Sequence, residues 1–273
     1  MTASFRALFT ATLLAAVAVT VTVSATAISA DASAPDSGAA ALLDQLGQAP
    51  EAAGTLIYRG TVYAQSAPDA APVFSYERRV SGTQGGLHAH HITRDLSGAV
   101  IIDEAAQVNP DYSLQRFEAI NRQQGYAGSV LVSREGRHLE YRLTRNGKTS
   151  VASEDLVDPV VTGPSLHGFI LQQWSALAAG KVVPVRMVVM TKMETYGFDV
   201  RMAAHASGQT SFSITPSNWL IRRVVAPLSV TYDTGTKSPV RYEGRVPPQQ
   251  LIDGKLKDLD ARVDYVMHTA AYR

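Results

Sequence analysis

The sequence contains no cysteine and carries little charge for its length of 273 residues. Without a thiol, the chain can form no disulfide, no thiolate metal site and no cysteine nucleophile. Charged residues make up 18% of the sequence, and 25 Lys and Arg against 24 Asp and Glu leave a formal net charge of +1. A nucleic-acid-binding protein usually has a basic surplus on one face, so this balance argues against nucleic acid as a partner.

The N-terminus has the order of features typical of an export signal. Arg6 precedes residues 7–23, a run of 17 residues without charge, Pro or Gly. The small-residue triplets 25–27 and 30–32 that follow both fit a signal-peptidase cleavage site. We therefore predict a signal peptide over residues 1–27, with cleavage as late as residue 32, and a periplasmic or secreted protein without a transmembrane segment. An uncleaved anchor is the alternative, although the apolar run is shorter than the about 20 residues that a membrane span needs.

Composition divides the remainder into a linker and a body. Residues 33–53 are rich in Ala, Gly, Ser and Pro, and three leucines there could share one face of a short helix. We predict a tether or short helix for this segment. From residue 54 onward no composition shift or long linker is present, so residues 54–273 are predicted to form a single β-rich domain.

The body of the chain has the pattern of an antiparallel sheet. Short runs of β-branched and aromatic residues, such as residues 55–63 and 73–80, alternate with turn signals such as Asn146-Gly147. Parallel strands would need long helical crossovers, for which there is little room. The fold class that we predict is mainly β (α+β): a curved antiparallel meander or half-barrel of about a dozen strands with one main helix packed on it.

One internal helix is indicated by its periodicity. It is predicted from Pro164 to Ala179, because Pro suits the first helical turn and apolar residues recur at helical spacing after it. The members of this stripe are Leu166, Phe169, Ile170, Trp174 and Leu177. A shorter helix is predicted to start at Pro216 and to carry Trp219 inward.

A pair of histidines suggests a metal site. His88 and His90 lie on one face of a predicted strand, a spacing that recurs in metal sites. Gly82 resembles the opening of the cupin metal motif, but Asp95 occupies the position at which that motif has Glu. No third ligand is visible from spacing, and two ligands seldom hold a metal tightly. We predict no bound metal and no other cofactor, with these three side chains as the candidates if one exists.

Motifs for catalysis are absent from the sequence. It has no Gly-x-Ser-x-Gly elbow, no phosphate-binding glycine loop and no dinucleotide-binding fingerprint. Ser165 and His167 fall in the first turn of the predicted helix, where the serine is expected to satisfy free backbone N–H groups. The aspartates between residues 253 and 264 alternate with Lys and Arg, which is typical of a solvated face. No catalytic residue is predicted.

Aromatic and methionine side chains form the predicted ligand-binding surface. Methionine is flexible and polarizable, and therefore suits a cavity that accepts irregular apolar ligands. The alternative is that these residues fill an ordinary core. The predicted ligand-binding residues are Trp174, Tyr196, Phe198, Met187 and Trp219.

Two resemblances follow from these patterns. The stretch from residue 161 to 246 contains Gly163-Pro164, Trp174 with Leu177 and Gly180, the segment Thr215 to Leu220, and a segment that starts at Tyr242 and runs on to Pro247. In these features it resembles an uncharacterised group of exported proteobacterial proteins. At the level of fold, an exported curved meander with a helix across it is similar to lipoprotein-carrier half-barrels of the LolA and RseB kind. That resemblance implies a groove for acyl chains or lipid-like molecules.

Three functions remain as hypotheses. The first, which the resemblance favours, is an exported periplasmic binding or carrier protein for an apolar, lipid-like small molecule. The second is an envelope module that binds a partner protein through exposed aromatic residues. The third is a metal-dependent or hydrolytic enzyme, which a buried polar cluster around His88 and His90 would favour.

Overall fold

The computed structural model describes residues 54–67, 69, 71–133, 137–223 and 226–269. The predicted signal peptide and the predicted tether lie outside these residues. Among the described residues, no helix combines the length and the apolar character that crossing a membrane requires.

A single sheet contains all fifteen described strands. Its order is β8-β7-β6-β5-β4-β3-β2-β1-β15-β14-β13-β12-β11-β10-β9, and every neighbouring pair is antiparallel except β9 with β10, which is parallel. The first and last long strands therefore pair in the middle of the sheet, where Val62 lies opposite Val263. The strands are β1 (Thr55–Ala64), β2 (Phe74–Thr83), β3 (Gly86–Arg94), β4 (Val100–Val108), β5 (Leu114–Asn121), β6 (Tyr126–Val132), β7 (His138–Arg145), β8 (Lys148–Asp155), β9 (Val160–Val161), β10 (Val183–Val189), β11 (Glu194–Ala206), β12 (Gln209–Pro216), β13 (Leu228–Asp233), β14 (Pro239–Ile252) and β15 (Lys255–Met267).

The prediction of a mainly β fold with one helix is confirmed. The sheet is curved and unclosed, and it has fifteen strands where the turn signals indicated about a dozen. Its two ends approach each other through side chains: Thr195 Oγ1 of β11 donates to Glu154 Oε2 of β8 at 3.2 Å, and Arg186 Nη2 of β10 lies 3.9 Å from the same oxygen. The curvature leaves a concave face, and residues of one strand alternate between this face and the convex one.

Helix α1 (Gly163–Ala178) lies on the concave face, within one residue of the predicted bounds. Thr162 precedes it, and the Thr162 backbone N–H donates to Ser165 Oγ at 2.8 Å, so the expected capping role of this serine is confirmed. The predicted apolar stripe packs against β9 to β13, with Ile170 and Leu177 fully buried. Burial of this stripe is the main stabilisation of the helix, because propensity alone is marginal at 16 residues.

The segment after β12 departs from the prediction. Pro216 ends β12 instead of starting a helix, and among the described residues that follow, the helical turn is the short 3-10 turn Ile221–Arg223. Trp219 is exposed and does not point into the core. The prediction of an inward-facing helix here was wrong, because Pro216 can end a strand as readily as it can begin a helix.

Candidate functional site

A group of polar side chains lies on the concave face beneath the start of α1. We call it the polar cluster, and its members are Tyr58 of β1, Tyr76 and Arg78 of β2, His91 of β3 and Glu104 of β4. Strand register brings them together, because Arg78 lies opposite His91 and His91 lies opposite Glu104. Residues opposite each other in an antiparallel pair point to the same side of the sheet. The cluster separates the apolar core under β4 to β8 from the apolar core under α1.

Arg78 holds the cluster together and attaches the helix to the sheet. The residue is 5% exposed, and its Nη1 donates to His91 Nε2 at 2.7 Å and to the Pro164 backbone carbonyl at 2.6 Å. Because an arginine can only donate, His91 Nε2 accepts and the imidazole proton is assigned to Nδ1. That nitrogen donates to the Tyr76 hydroxyl, and Tyr58 is hydrogen-bonded to both Tyr76 and Arg78. The first turn of α1 is thus fixed by a network that begins at one buried cation.

Burial shifts the pKa values of two members of the cluster in the direction that favours their neutral forms. Desolvation, followed by the charge of Arg78, holds the pKa of His91 well below its usual range. Desolvation, assisted by the charge of Asp103, raises the pKa of Glu104 to about 7. Glu104 Oε2 faces the helix start, since a Cβ at Gly163 would lie 3.6 Å from it. The cluster therefore has one permanent positive charge and a carboxyl group that titrates near neutral pH.

His167 connects the cluster with the far side of the concave face. It projects from α1 and stacks on Tyr232 of β13, with ring centroids 5.5 Å apart and planes inclined by 15°. Its Nδ1 lies 3.3 Å from the Tyr232 hydroxyl. Burial, and then the charge of Arg78, lowers the pKa of His167 to about 3, so the ring is neutral at neutral pH.

A cleft of about 1040 Å³ opens at one end of the concave face. Four segments that are distant in sequence line it: residues 110–112 between β4 and β5, residues 171–172 of α1, the hairpin of residues 233–240 between β13 and β14, and residues 267–269 at the end of β15. Tyr112 covers one side by packing on Gly168, where a Cβ would come within 2.1 Å of the tyrosine ring.

The cleft is lined by both apolar and polar side chains. Leu171 and Met267 supply apolar surface, while Asp111 and Asp233 are occupied within their own turns. Asp111 Oδ1 accepts from the Ser113 hydroxyl at 2.6 Å, and Asp233 Oδ1 accepts from the Thr236 backbone N–H at 2.8 Å; these bonds lower the pKa of each carboxyl.

Lys237 connects the cleft to the helix. This residue lines the cleft, and its Nζ lies 5.4 Å from the centroid of the Trp174 ring, a cation–π contact. The mixed lining suits an amphipathic molecule whose apolar part contacts Leu171 and Met267 and whose polar part lies near Lys237.

The predicted ligand-binding residues divide into three groups. Trp174 is half-buried, packs edge-on against Phe212 at 5.0 Å and touches the cleft through Lys237. Met187, Tyr196 and Phe198 belong to the same apolar core as Trp174, under the second half of α1. Trp219 is 61% exposed and lies outside that core. None of the five is among the described residues that line the cleft.

The predicted metal-binding residues are not brought together. His88 and His90 have ring centroids 6.1 Å apart and lie on the convex face, where His90 Nε2 is hydrogen-bonded to Asp103 Oδ1. Asp95 is instead occupied in a turn, accepting from the Ser97 hydroxyl at 2.6 Å and the Ala99 backbone N–H at 3.0 Å. Within the part of the chain that the structure describes, no group of three His, Asp or Glu side chains could hold a metal ion.

The polar cluster and the cleft were both missed in the sequence. One signal for the cluster was available in β2. The side chains on one face of this strand are Phe74, Tyr76, Arg78 and Val80. A cation therefore lies on the face whose other members are apolar or aromatic. The cleft had no local signal, because its lining comes from four separate segments.

Comparison with known proteins gives little support for any function. No family model and no curated protein matches the chain. Among solved structures, the chain is similar to one described as a porin-like protein from Bacteroides uniformis ATCC 8492, with 9% sequence identity, 80% of this chain and 98% of that chain covered, and a TM-score of 0.22. A similarity at this level supports no statement about the fold or activity of this chain.

Proposed function

We propose that this chain is an exported, periplasmic or secreted, binding or carrier protein for a lipid-like ligand, and that the ligand occupies the cleft. The observation that carries the proposal is the cleft itself, a space of about 1040 Å³ between α1 and the end of the concave face. Small-molecule sites are usually concave spaces of about 300–1,000 Å³ with an apolar lining and a few polar groups. The resemblance to lipoprotein-carrier half-barrels supports the same ligand class.

The shape of the cleft supports an amphipathic ligand. Leu171 and Met267 offer apolar contact area, and the hairpin that carries Lys237 offers charged and hydroxyl-bearing side chains. Burial of apolar surface contributes about 25 cal/mol per Å², so an acyl chain gains most of its binding free energy at Leu171 and Met267. The hairpin would then contact the polar end of the ligand.

An enzymatic function is less well supported. The polar cluster contains a carboxyl group and an imidazole, the groups that general acid–base catalysis uses. However, none of its members lines the cleft, and Arg78 engages His91 and Pro164 in hydrogen bonds that stabilise the fold. We therefore assign the polar cluster to the attachment of the helix.

Binding of a fluorescent fatty acid tests the proposal. We expect saturable binding to the purified protein, and mass spectrometry of its organic extract should show a co-purified lipid-like molecule. Leu171→Asp places a charge in the cleft and should weaken binding at least about tenfold, since loss of one buried leucine contact costs about 1.5–3 kcal/mol.

A matched variant separates loss of binding from loss of folding. Leu131→Asp makes the same change at an exposed site on β6, outside the cleft, and should bind like the parent. Urea unfolding of both variants establishes that they are folded under the assay conditions. Absence of saturable binding by the parent, or equal binding by the folded Leu171→Asp variant, contradicts the proposal.

A further inference from the structure

The end of the sheet opposite the cleft carries a group of exposed apolar side chains. The cleft lies where the hairpin 233–240 joins β13 to β14. At the other end of the same strands, β12 ends at Pro216, β13 begins at Leu228 and β14 ends at Ile252. Two segments project there: the turn between β14 and β15, and the connection after β12.

The turn between β14 and β15 forms a projecting hairpin tip, which we define as residues 251–258. All eight of these residues are exposed, including the cross-strand pair of Leu251, 67% exposed, and Leu256, 42% exposed. Ile252 is 39% exposed. The base of the hairpin is fixed, because Gln123 Nε2 donates to the Gln249 carbonyl at 3.0 Å and the Gln249 backbone N–H donates to Gln123 Oε1 at 3.0 Å.

The connection after β12 presents a second apolar surface at this end. Trp219 and Leu220 are 61% and 56% exposed. The Arg223 guanidinium lies over the Trp219 indole, 4.9 Å from the ring centroid. A tryptophan beside a basic residue is typical of side chains at a membrane–water interface.

Two lysines and two aspartates, Asp253 and Asp258, lie beside the apolar residues of the tip, and they differ in their partners. Lys255 and Lys257 flank Leu256, and within the described residues no hydrogen bond or ion pair engages the side chain of either lysine. Asp258, at the base of the tip, is ion-paired: Arg245 Nη1 lies 2.5 Å from Asp258 Oδ2, and the same guanidinium binds Asp260 Oδ1 through Nε at 2.7 Å. Asp253, at the turn, is the one acid of the tip outside an ion pair in the described structure.

We propose that the hairpin tip and Trp219 dock on the surface of a lipid bilayer that contains anionic lipid. Aliphatic side chains at a projecting tip can enter the boundary between headgroups and acyl chains, while neighbouring lysines reach anionic headgroups. Each basic residue near such a surface contributes further attraction. Trp219 would lie at the headgroup level beside Arg223. This inference is independent of the cleft and of its ligand.

The geometry of the tip favours lipid over a protein partner. The tip is exposed on both faces, since Leu251 and Leu256 point to one side and Ile252 to the other. A rigid protein surface covers one face of a narrow hairpin, whereas fluid lipid can surround it. A bilayer therefore fits a tip that exposes apolar residues on both sides next to unpaired lysines better than a protein surface does.

Vesicle flotation tests the inference. We expect the purified protein to float with phosphatidylcholine vesicles that contain phosphatidylglycerol, less with phosphatidylcholine alone, and less at high salt. The double variant L251S/L256S should reduce binding at least about tenfold, because burying one leucine contributes about 1.5–3 kcal/mol. The double variant K255E/K257E should remove the preference for phosphatidylglycerol.

Matched variants elsewhere on the surface control for nonspecific effects. Val151→Ser on β8 and Lys181→Glu after α1 change exposed residues away from the tip, and both should bind like the parent. Absence of flotation by the parent, or unchanged flotation of folded L251S/L256S, overturns the inference. Fatty-acid binding by the same samples reports on the cleft separately, so the two proposals can fail independently.

Discussion

Replacing Glu104 with Gln should change the pH dependence of stability in a way that identifies the polar cluster. Burial, and then the charge of Asp103, raises the pKa of this carboxyl group from 4.5 to about 7. Gln has nearly the shape of the protonated acid but cannot ionise. The variant therefore removes one titration from the cluster while keeping its volume.

The sign and size of the effect follow from proton linkage. Between pH 4.5 and about 7 the folded protein retains the Glu104 proton while the unfolded chain loses it, so the parent loses stability as the pH rises through this window. Each pKa unit corresponds to about 1.4 kcal/mol, which gives a total loss of about 3 kcal/mol. Relative to the parent, Glu104→Gln should therefore gain about 3 kcal/mol between pH 4.5 and 8.

Two buried histidines, His91 of the cluster and His167 of α1, act in the opposite direction. His91 and His167 have pKa values lowered by burial, so the unfolded chain binds more protons than the folded protein below pH 6.5. Their contribution rises with pH toward 6.5 in both parent and variant. If the histidines titrate alike in parent and variant, their contributions cancel. The difference between the unfolding free energies of parent and Glu104→Gln at each pH then reports the ionisation of Glu104 alone.

The assay is urea unfolding followed by tryptophan fluorescence at a series of pH values. Glu140→Gln, which changes an exposed carboxylate on β7 outside the cluster, is the matched control, and its unfolding free energy should stay within about 0.5 kcal/mol of the parent. A difference for Glu104→Gln that is flat, or that decreases with pH, would refute the reasoning. In that case Glu104 would be ionised in the folded protein.

Two further predictions concern the contacts of α1. Trp174→Ala should cost about 2–3 kcal/mol in urea unfolding, less than the 3–5 typical of a fully buried aromatic, because the ring is half-buried against Phe212; a large loss with unchanged fatty-acid binding would make this residue purely structural. Gly168→Ala should cost about 1–3 kcal/mol and alter fatty-acid binding, because the new methyl group displaces Tyr112 at the cleft. Gly82→Ala, which meets no atom within 4 Å, is its control and should show no such loss.

Local patterns were sufficient to predict the class of this fold and its main helix, although not the strand count or the segment after Pro216. Alternating burial along β2 and the 3.6-residue stripe of α1 depend on neighbours in sequence, which the sequence shows directly. The same logic placed His88 and His90 on one face of a strand. It could not show which face, and the structure turns both away from the helix, with His91 pointing inward instead. Because successive side chains of a strand point to opposite faces, His91, which directly follows His90, lies on the opposite face of the sheet.

Tertiary structure alone decided the polar cluster, the cleft and the projecting tip. The Arg78 guanidinium meets the Pro164 carbonyl across 86 residues of sequence, and the cleft joins segments from residues 110 to 269. Such contacts depend on strand order, register and sheet curvature, and a local hydrophobic pattern contains no information about these. Trp219 shows the converse, since an aromatic residue three positions after a proline has the pattern of a core residue, yet the structure leaves it 61% exposed. The sequence determines which side of each element is apolar, and only the assembled sheet determines what that side meets.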